Sequence, residues 1–156
     1  MRQPILTLAV TATLFGAAPN PVEWKIEGAP ARAVKPGARF NLNLIAQVES
    51  GWHLYSTKPL EGGPIPTRIW LAEGQPFELG GAIKSDPPET IHDPNFDMEV
   101  EFYEGQAEFS LPIHVASGAP DSARKLQIMA SYQACNDKMC LPPKTVAIEA
   151  AVEIRK

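Results

Sequence analysis

Long stretches of this chain alternate apolar and polar residues with a period of two, the pattern of a β-strand with one face buried. Phe40, Leu42, Leu44, Ala46 and Val48 form one such run, set against Asn41, Asn43 and Gln47. Ala107, Phe109, Leu111, Ile113 and Val115 form another, and Leu126, Ile128, Ala130 and Tyr132 a third. Val146, Ile148, Ala150, Val152 and Ile154 close the chain in the same way. Shorter strands are expected over Val22 to Ile26, Gly51 to Tyr55, Thr67 to Leu71 and Asp97 to Phe102. Turn chemistry separates these runs, at Lys35-Pro36-Gly37, Glu61-Gly62-Gly63-Pro64, Ser85-Asp86-Pro87-Pro88 and Ser117-Gly118-Ala119-Pro120. No stretch shows a helical period with caps. About eight short strands between Gly/Pro turns predict an all-β chain folded as an antiparallel β-sandwich.

Composition agrees with that reading. Sixteen prolines in 156 residues are about twice the ordinary share of about 5%, and proline suits strand edges and turns better than helices. Hydrophobic residues at 44% and charged residues at 21% can fill a core. The net charge of −4, with no basic run, argues against nucleic acid as a partner. The length favours one domain, and nothing argues against a monomer.

The N-terminus changes the picture of where that domain works. Arg2 precedes a mostly apolar, uncharged stretch from Ile5 to Ala18 that ends in Gly16-Ala17-Ala18. It is shorter than the roughly 20 residues a membrane span requires and reads as a cleavable signal peptide over residues 1–18. Residues 19–156 are then an exported domain, in the periplasm or otherwise outside the cytoplasm, where a disulfide persists.

The candidate chemistry is a cysteine pair. Cys135 and Cys140 lie in Tyr132-Gln133-Ala134-Cys135-Asn136-Asp137-Lys138-Met139-Cys140-Leu141-Pro142-Pro143. Asn136-Asp137 favours a turn, so the cysteines face each other across a tight loop within disulfide range. Spacing alone leaves redox exchange, a structural bridge and metal binding open. A ring this small stabilises by about 2 kcal/mol at best, against roughly 3 for a 15-residue loop. Cys135 also has the outward parity if the strand of Leu126 to Tyr132 continues, and small exposed disulfides tend to be the exchangeable ones. For metal, Met98, Met129, Met139, His53, His92 and His114 offer soft or imidazole ligands, although no histidine is spaced to meet the thiols. Lys138 and Lys144 favour a thiolate and Asp137 opposes it, which predicts modest thiol acidity. Met98, Val100 and Phe102 alternate with Asp97, Glu99 and Glu101, as in an edge strand with a solvated acidic face. The alternative is a segment whose aromatic shields a reactive disulfide. Asp93, Asp97, Glu99, Glu101 and Glu104 would then steer a basic partner.

Three segments together resemble a known family. Tyr132 to Cys135 with Cys140 to Val146 is similar to the active-site hairpin of the N-terminal periplasmic domain of the thiol:disulfide interchange protein DsbD. Gly51-Trp52-His53-Leu54-Tyr55 resembles a strand of that domain, and Glu101-Phe102-Tyr103-Glu104-Gly105 resembles its cap segment. The resemblance spans roughly Trp24 to Ile154. It implies an immunoglobulin-like antiparallel β-sandwich with an active-site hairpin and a cap segment. It also implies a relay of reducing equivalents through Cys135 and Cys140, with no cofactor beyond the sulfurs. Cys140 would form the mixed disulfide and Cys135 resolve it. Phe102 would be the aromatic lid, with Tyr55, His53, Glu101 and Tyr103 around the site. The donor would be a thioredoxin-like domain or a membrane electron-transfer protein. The clients would be a periplasmic disulfide isomerase or a cytochrome c maturation thiol protein.

This sequence departs from the family pattern in four places. Four residues rather than five separate the cysteines, Glu104 interrupts the cap segment, Val100 stands where an acidic residue is expected, and His53 stands where tyrosine is frequent. A stand-alone version is expected, without a transmembrane or thioredoxin-like domain after Lys156. Two other readings stay open: a redox-inert immunoglobulin-like binding module with a structural disulfide, and a copper- or zinc-binding periplasmic protein.

Overall fold

The computed structural model describes residues 19–156; the expected signal peptide, 1–18, lies outside the described residues. Among them the chain forms twelve strands and no helix. They are β1 (Val22–Glu27), β2 (Arg39–Val48), β3 (His53–Tyr55), β4 (Arg68–Leu71), β5 (Phe77–Leu79) and β6 (Lys84–Ser85). The second half adds β7 (Glu89–Asp93), β8 (Met98–Tyr103), β9 (Gln106–Val115), β10 (Ser122–Tyr132), β11 (Ala134–Cys135) and β12 (Lys144–Ile154). One sheet runs β1-β2-β9-β5, with β6 also on β9. A second runs β12-β10-β4 and a third β11-β3-β8-β7. All the strand pairs are antiparallel.

The long alternating runs become the strands that make the sandwich. Every second residue of β9 is buried, from Ala107 to Val115, because a period of two sends them all to one face. They meet Leu42 and Leu44 of β2, Leu126 and Ile128 of β10, and Val152 and Ile154 of β12 in one apolar cluster. Each fully buried Leu, Ile or Phe contributes roughly 1.5–3 kcal/mol relative to an exposed one. The all-β antiparallel sandwich expected from the pattern is the one observed.

The third sheet is buried on both faces of its middle strands. Leu54, Tyr103 and Ala134 point into the main core. Their chain neighbours Tyr55, Phe102 and Cys135 point the opposite way and, with Val100, form a second buried cluster. The parity expected for Cys135 therefore holds, but its outward side is not solvent. Leu60, Phe96 and Met98 pack over that face, and Cys135 is 0% exposed. The exposed bridge anticipated from parity is corrected accordingly.

Other differences have local causes. β5, β6, β7 and β11 are unexpected because each has five residues or fewer, too short for a run of apolar alternation to show. Ser85, placed in a turn by its neighbours, ends β6. The strand expected from Asp97 starts at Met98, since Asp97 takes a left-handed turn conformation (φ 53°) that Asp tolerates better than most residues. β8 lies between β3 and β7, so it is not an edge strand.

Candidate functional site

Cys135 and Cys140 are joined by a disulfide, with their Cα atoms 4.1 Å apart. The loop between them closes as a hairpin turn, with the Asn136 N–H donating to the Met139 carbonyl at 2.9 Å. The Asn136 side chain fixes the turn by accepting from the N–H groups of Lys138 and Met139, both at 2.9 Å. Beyond it, the Leu141 N–H donates to the Ala134 carbonyl at 2.9 Å. The two sulfurs differ in access: Cys135 is fully buried and Cys140 only partly so.

A polar cluster stands against this pair. β3 brings His53 into register with Cys135 and places Tyr55 two residues on, on the same face. The Tyr55 hydroxyl donates to Asp93 Oδ2 at 2.5 Å and lies 3.2 Å from His53 Nε2. It also lies 4.0 Å from Cys140 Sγ. His53 Nε2 is 3.5 Å from Asp93 Oδ2, and the His53 ring meets Tyr55 and Phe102 edge-on. Asp93 is 1% exposed. Burial pushes its carboxyl up, but hydrogen bonds from Tyr55 and Asn95 and the nearby His53 outweigh that and leave it below the usual carboxylate range. Burial, with the hydrogen bond to Asp93 and its charge, holds the Tyr55 phenol far above its ordinary value. Tyr55 therefore stays protonated and Asp93 ionised.

Asp93 also builds the turn that covers the site. Its Oδ1 accepts from the Asn95 N–H at 2.7 Å, and its carbonyl accepts from the Asp97 N–H at 2.8 Å. The turn from β7 to β8 so formed carries Phe96, whose ring lies edge-on to Tyr55 at 5.9 Å and packs on the cluster with Cys140. The Asn95 side chain ties the turn to the cysteine loop by donating to the Asn136 carbonyl at 3.2 Å.

The expected site residues divide into two groups. Tyr55 and His53 meet the pair, and Phe102 shares the buried cluster of Cys135. Phe102 is nevertheless 4% exposed within a central strand, not on a flap. Glu101 turns away, to Lys58 Nζ at 2.8 Å and the Ser56 hydroxyl at 3.3 Å. Tyr103 belongs to the main core, and its hydroxyl lies 3.0 Å from Ser85 Oγ. Of the carboxylates expected to steer a partner, Asp93 is buried and serves the site instead. His92 faces Asp97 at 3.0 Å, and His114 faces Glu78 on the first sheet. Among the described residues no three His, Cys, Asp or Glu side chains are gathered to hold a metal. Lys144 Nζ donates to Asn20 Oδ1 at 2.8 Å, and Met139 is half exposed at the loop tip. Sequence reasoning missed Phe96 and the structural part of Asp93; Asp93-Pro94-Asn95, a turn-former run before an aromatic, is the signal that was there.

Comparison with known proteins bears on this site. The family described as "Thiol:disulfide interchange protein DsbD, N-terminal" matches residues 26–151. The thiol:disulfide interchange protein DsbD of Pasteurella multocida (strain Pm70) is 34% identical over 107 residues, 69% of this chain. The match spans 15% of that relative's length. The reduced DsbD N-terminal domain of Neisseria meningitidis shares the fold, with a TM-score of 0.51 at 16% identity over 72% of this chain and 78% of that one. The N-terminal periplasmic domain of ScsB from Proteus mirabilis aligns with a TM-score of 0.48 at 17% identity, over 76% of this chain and 43% of that one.

Proposed function

Because this chain belongs to the family of DsbD N-terminal domains, we propose that it relays reducing equivalents between proteins through Cys135 and Cys140. The observation that carries this is the asymmetry of the sulfurs: Cys135 is sealed, whereas Cys140 is partly accessible and stands beside Tyr55. A thiolate of a thioredoxin-like donor, or of a membrane electron-transfer protein, attacks Cys140 Sγ, and Cys135 leaves as a thiolate. The donor's second thiolate then attacks its own sulfur in the mixed disulfide and releases Cys140. The donor ends oxidised to a disulfide and the pair reduced to two thiols. The same steps in reverse reduce a client disulfide, such as that of an isomerase or a cytochrome c maturation protein. The sulfurs are the carriers and no cofactor enters. The work is done in the periplasm, after export.

Phe96 is the better candidate for the movable cover. It sits on a turn and packs from outside on the cluster, whereas Phe102 cannot leave without opening β8. Phe102, Tyr55 and His53 form the wall behind the pair. Glu101 is held by Lys58 and Tyr103 by the main core, so neither takes a chemical part.

The test is the reduction potential of the pair in glutathione buffers, with free thiols trapped. A value between roughly −180 and −270 mV is expected for an exchange protein, and a Cys135→Ser variant then accumulates mixed disulfides through Cys140. Complete burial of Cys135 favours one other reading, a structural bridge in a binding module. A potential below about −300 mV decides for that reading.

A further inference from the structure

We propose that His53 is the proton store of Cys140, exchanging a proton with the sulfur through the hydroxyl of Tyr55. This rests on the pair being exchangeable. The geometry is a chain of three groups: His53 Nε2 is 3.2 Å from Tyr55 Oη, and Tyr55 Oη is 4.0 Å from Cys140 Sγ. Tyr55 and Asp93 are buried, and the His53 side chain keeps an 11% exposed edge.

The chemistry of each member assigns its part. When a mixed disulfide at Cys140 is resolved, Cys140 departs as a thiolate carrying the electron pair of the broken S–S bond. The groups that stand beside that sulfur are Tyr55 and, through it, His53 and Asp93. Asp93 has no proton to give, since it is ionised and accepts from Tyr55 and Asn95. Tyr55 has one, but a buried phenolate cannot persist beside Asp93. The hydroxyl therefore rotates from Asp93 to the sulfur and gives up its proton, while the protonated His53 ring passes its Nε2 proton to the Tyr55 oxygen. Cys140 ends as a thiol, Tyr55 is unchanged and His53 is neutral. The partner pair ends as a disulfide, and His53 regains a proton from water at its exposed edge. When the thiol of Cys140 attacks a client, the proton runs the other way.

Histidine suits this place because it changes charge between pH 5 and 8, which tyrosine does not. Its titratable neighbours are Tyr55 on β3, Asp93 at the end of β7, and the cysteines on β11 and in the loop. Glu101 of β8 faces Lys58 and Ser56 instead. Asp93 is thus a positioning residue, which aims the phenol and faces the ring.

The experiment first reduces the wild-type pair with dithiothreitol, and then follows, in a Cys135→Ser background from pH 5 to 9, the rate at which glutathione displaces Cys140 from its mixed disulfide with glutathione, expressed per glutathione thiolate. It compares the protein with His53 and Tyr55 intact, taken as the wild type, with His53→Gln, His53→Tyr and Tyr55→Phe. His53→Tyr keeps an aromatic ring against Phe102 and covers the case in which His53→Gln fails to fold. The wild type is expected to be about tenfold faster than each variant at pH 5.5, a modest general-acid effect, and within about twofold at pH 8.5. A ratio constant across pH makes His53 merely structural and overturns the proposal. A Tyr55→Phe variant that keeps the wild-type profile overturns the route through the hydroxyl. A wild-type pair that is not reduced at any pH overturns both this inference and the relay on which it rests.

Discussion

The molecule contains two apolar clusters built from different materials. The main core takes its side chains from all three sheets and is filled chiefly by Leu, Ile, Val and Phe from the long alternating strands. The cluster around Cys135 holds only Tyr55, Val100 and Phe102 with it as fully buried apolar members. The buried polar residues among those described are His53, Ser56, Thr67 and Asp93, and they gather at the smaller cluster: Thr67 donates to the Tyr55 carbonyl at 2.6 Å and Ser56 follows Tyr55. The covers differ as well. Strands seal the main core, whereas a turn and a short loop seal the disulfide. Regions held by few apolar contacts open at lower free energy than a core does. One cluster keeps the sandwich folded while the other can part locally to admit a thiolate.

The comparison breaks most easily in the main core. Phe109 is fully buried and packs against Trp24 and Tyr103. Phe109→Ala is expected to cost about 3–5 kcal/mol in denaturant unfolding, because the cavity cannot collapse between two sheets. The rate at which a small thiol reduces the disulfide should stay unchanged in the fraction that remains folded. An accelerated reaction there would mean that the two clusters do not open independently.

The next effect lies in the polar cluster. Asp93→Ala leaves the Tyr55 hydroxyl and the Asn95 N–H without their acceptor, which should cost about 1–3 kcal/mol. Its pH dependence has a definite sign. The Asp93 carboxyl is lowered in the folded protein, so its contribution is complete above the ordinary aspartate pKa and is lost as pH falls through the lower folded value. The stability gap between wild type and Asp93→Asn should therefore be widest near neutral pH and close in acid. On the alkaline side the raised Tyr55 phenol contributes fully below its ordinary pKa and loses that contribution as pH rises above it. Unfolding curves at pH 3, 7 and 10.5 check both ends.

The difference between the clusters also explains what could be read from the sequence. The main core was legible because period-two alternation over seven to nine residues has one solution, one face in and one face out. The cysteine loop was legible from Asn136 and the close spacing. The cover was not. Phe96 continues the alternation of Met98, Val100 and Phe102 by one step, but the left-handed Asp97 puts it on a turn outside the strand, and its packing on Tyr55 depends on β7, a strand with a single apolar member, Ile91. Asp93 reads in sequence as one more surface carboxylate, and only the pairing of β7 with β8 carries it inward to Tyr55. Parity correctly set Cys135 opposite to Ala134, but parity reports a face and not what lies over it.

The smallest expected change in stability is the one that tests the cover itself. Phe96 is only partly buried and sits on a turn, so Phe96→Ala should cost under about 1 kcal/mol, less than the roughly 1.5–3 kcal/mol of a fully buried aromatic. Its effect on exchange should be larger than its effect on folding. Removing the ring opens the approach to Cys140, and the rate of attack by dithiothreitol at pH 8 should rise about three- to tenfold, since exchange depends on access to the sulfur attacked. Phe102→Ala should do the opposite, costing about 3 kcal/mol or more of stability as a core truncation. If Phe96→Ala reacts at the wild-type rate while Phe102→Ala is faster under conditions where both are folded, the lid is Phe102, as the resemblance in sequence implied. If Phe96→Ala alone is faster, the cover is the turn from β7 to β8, and the strand beneath it is only the wall.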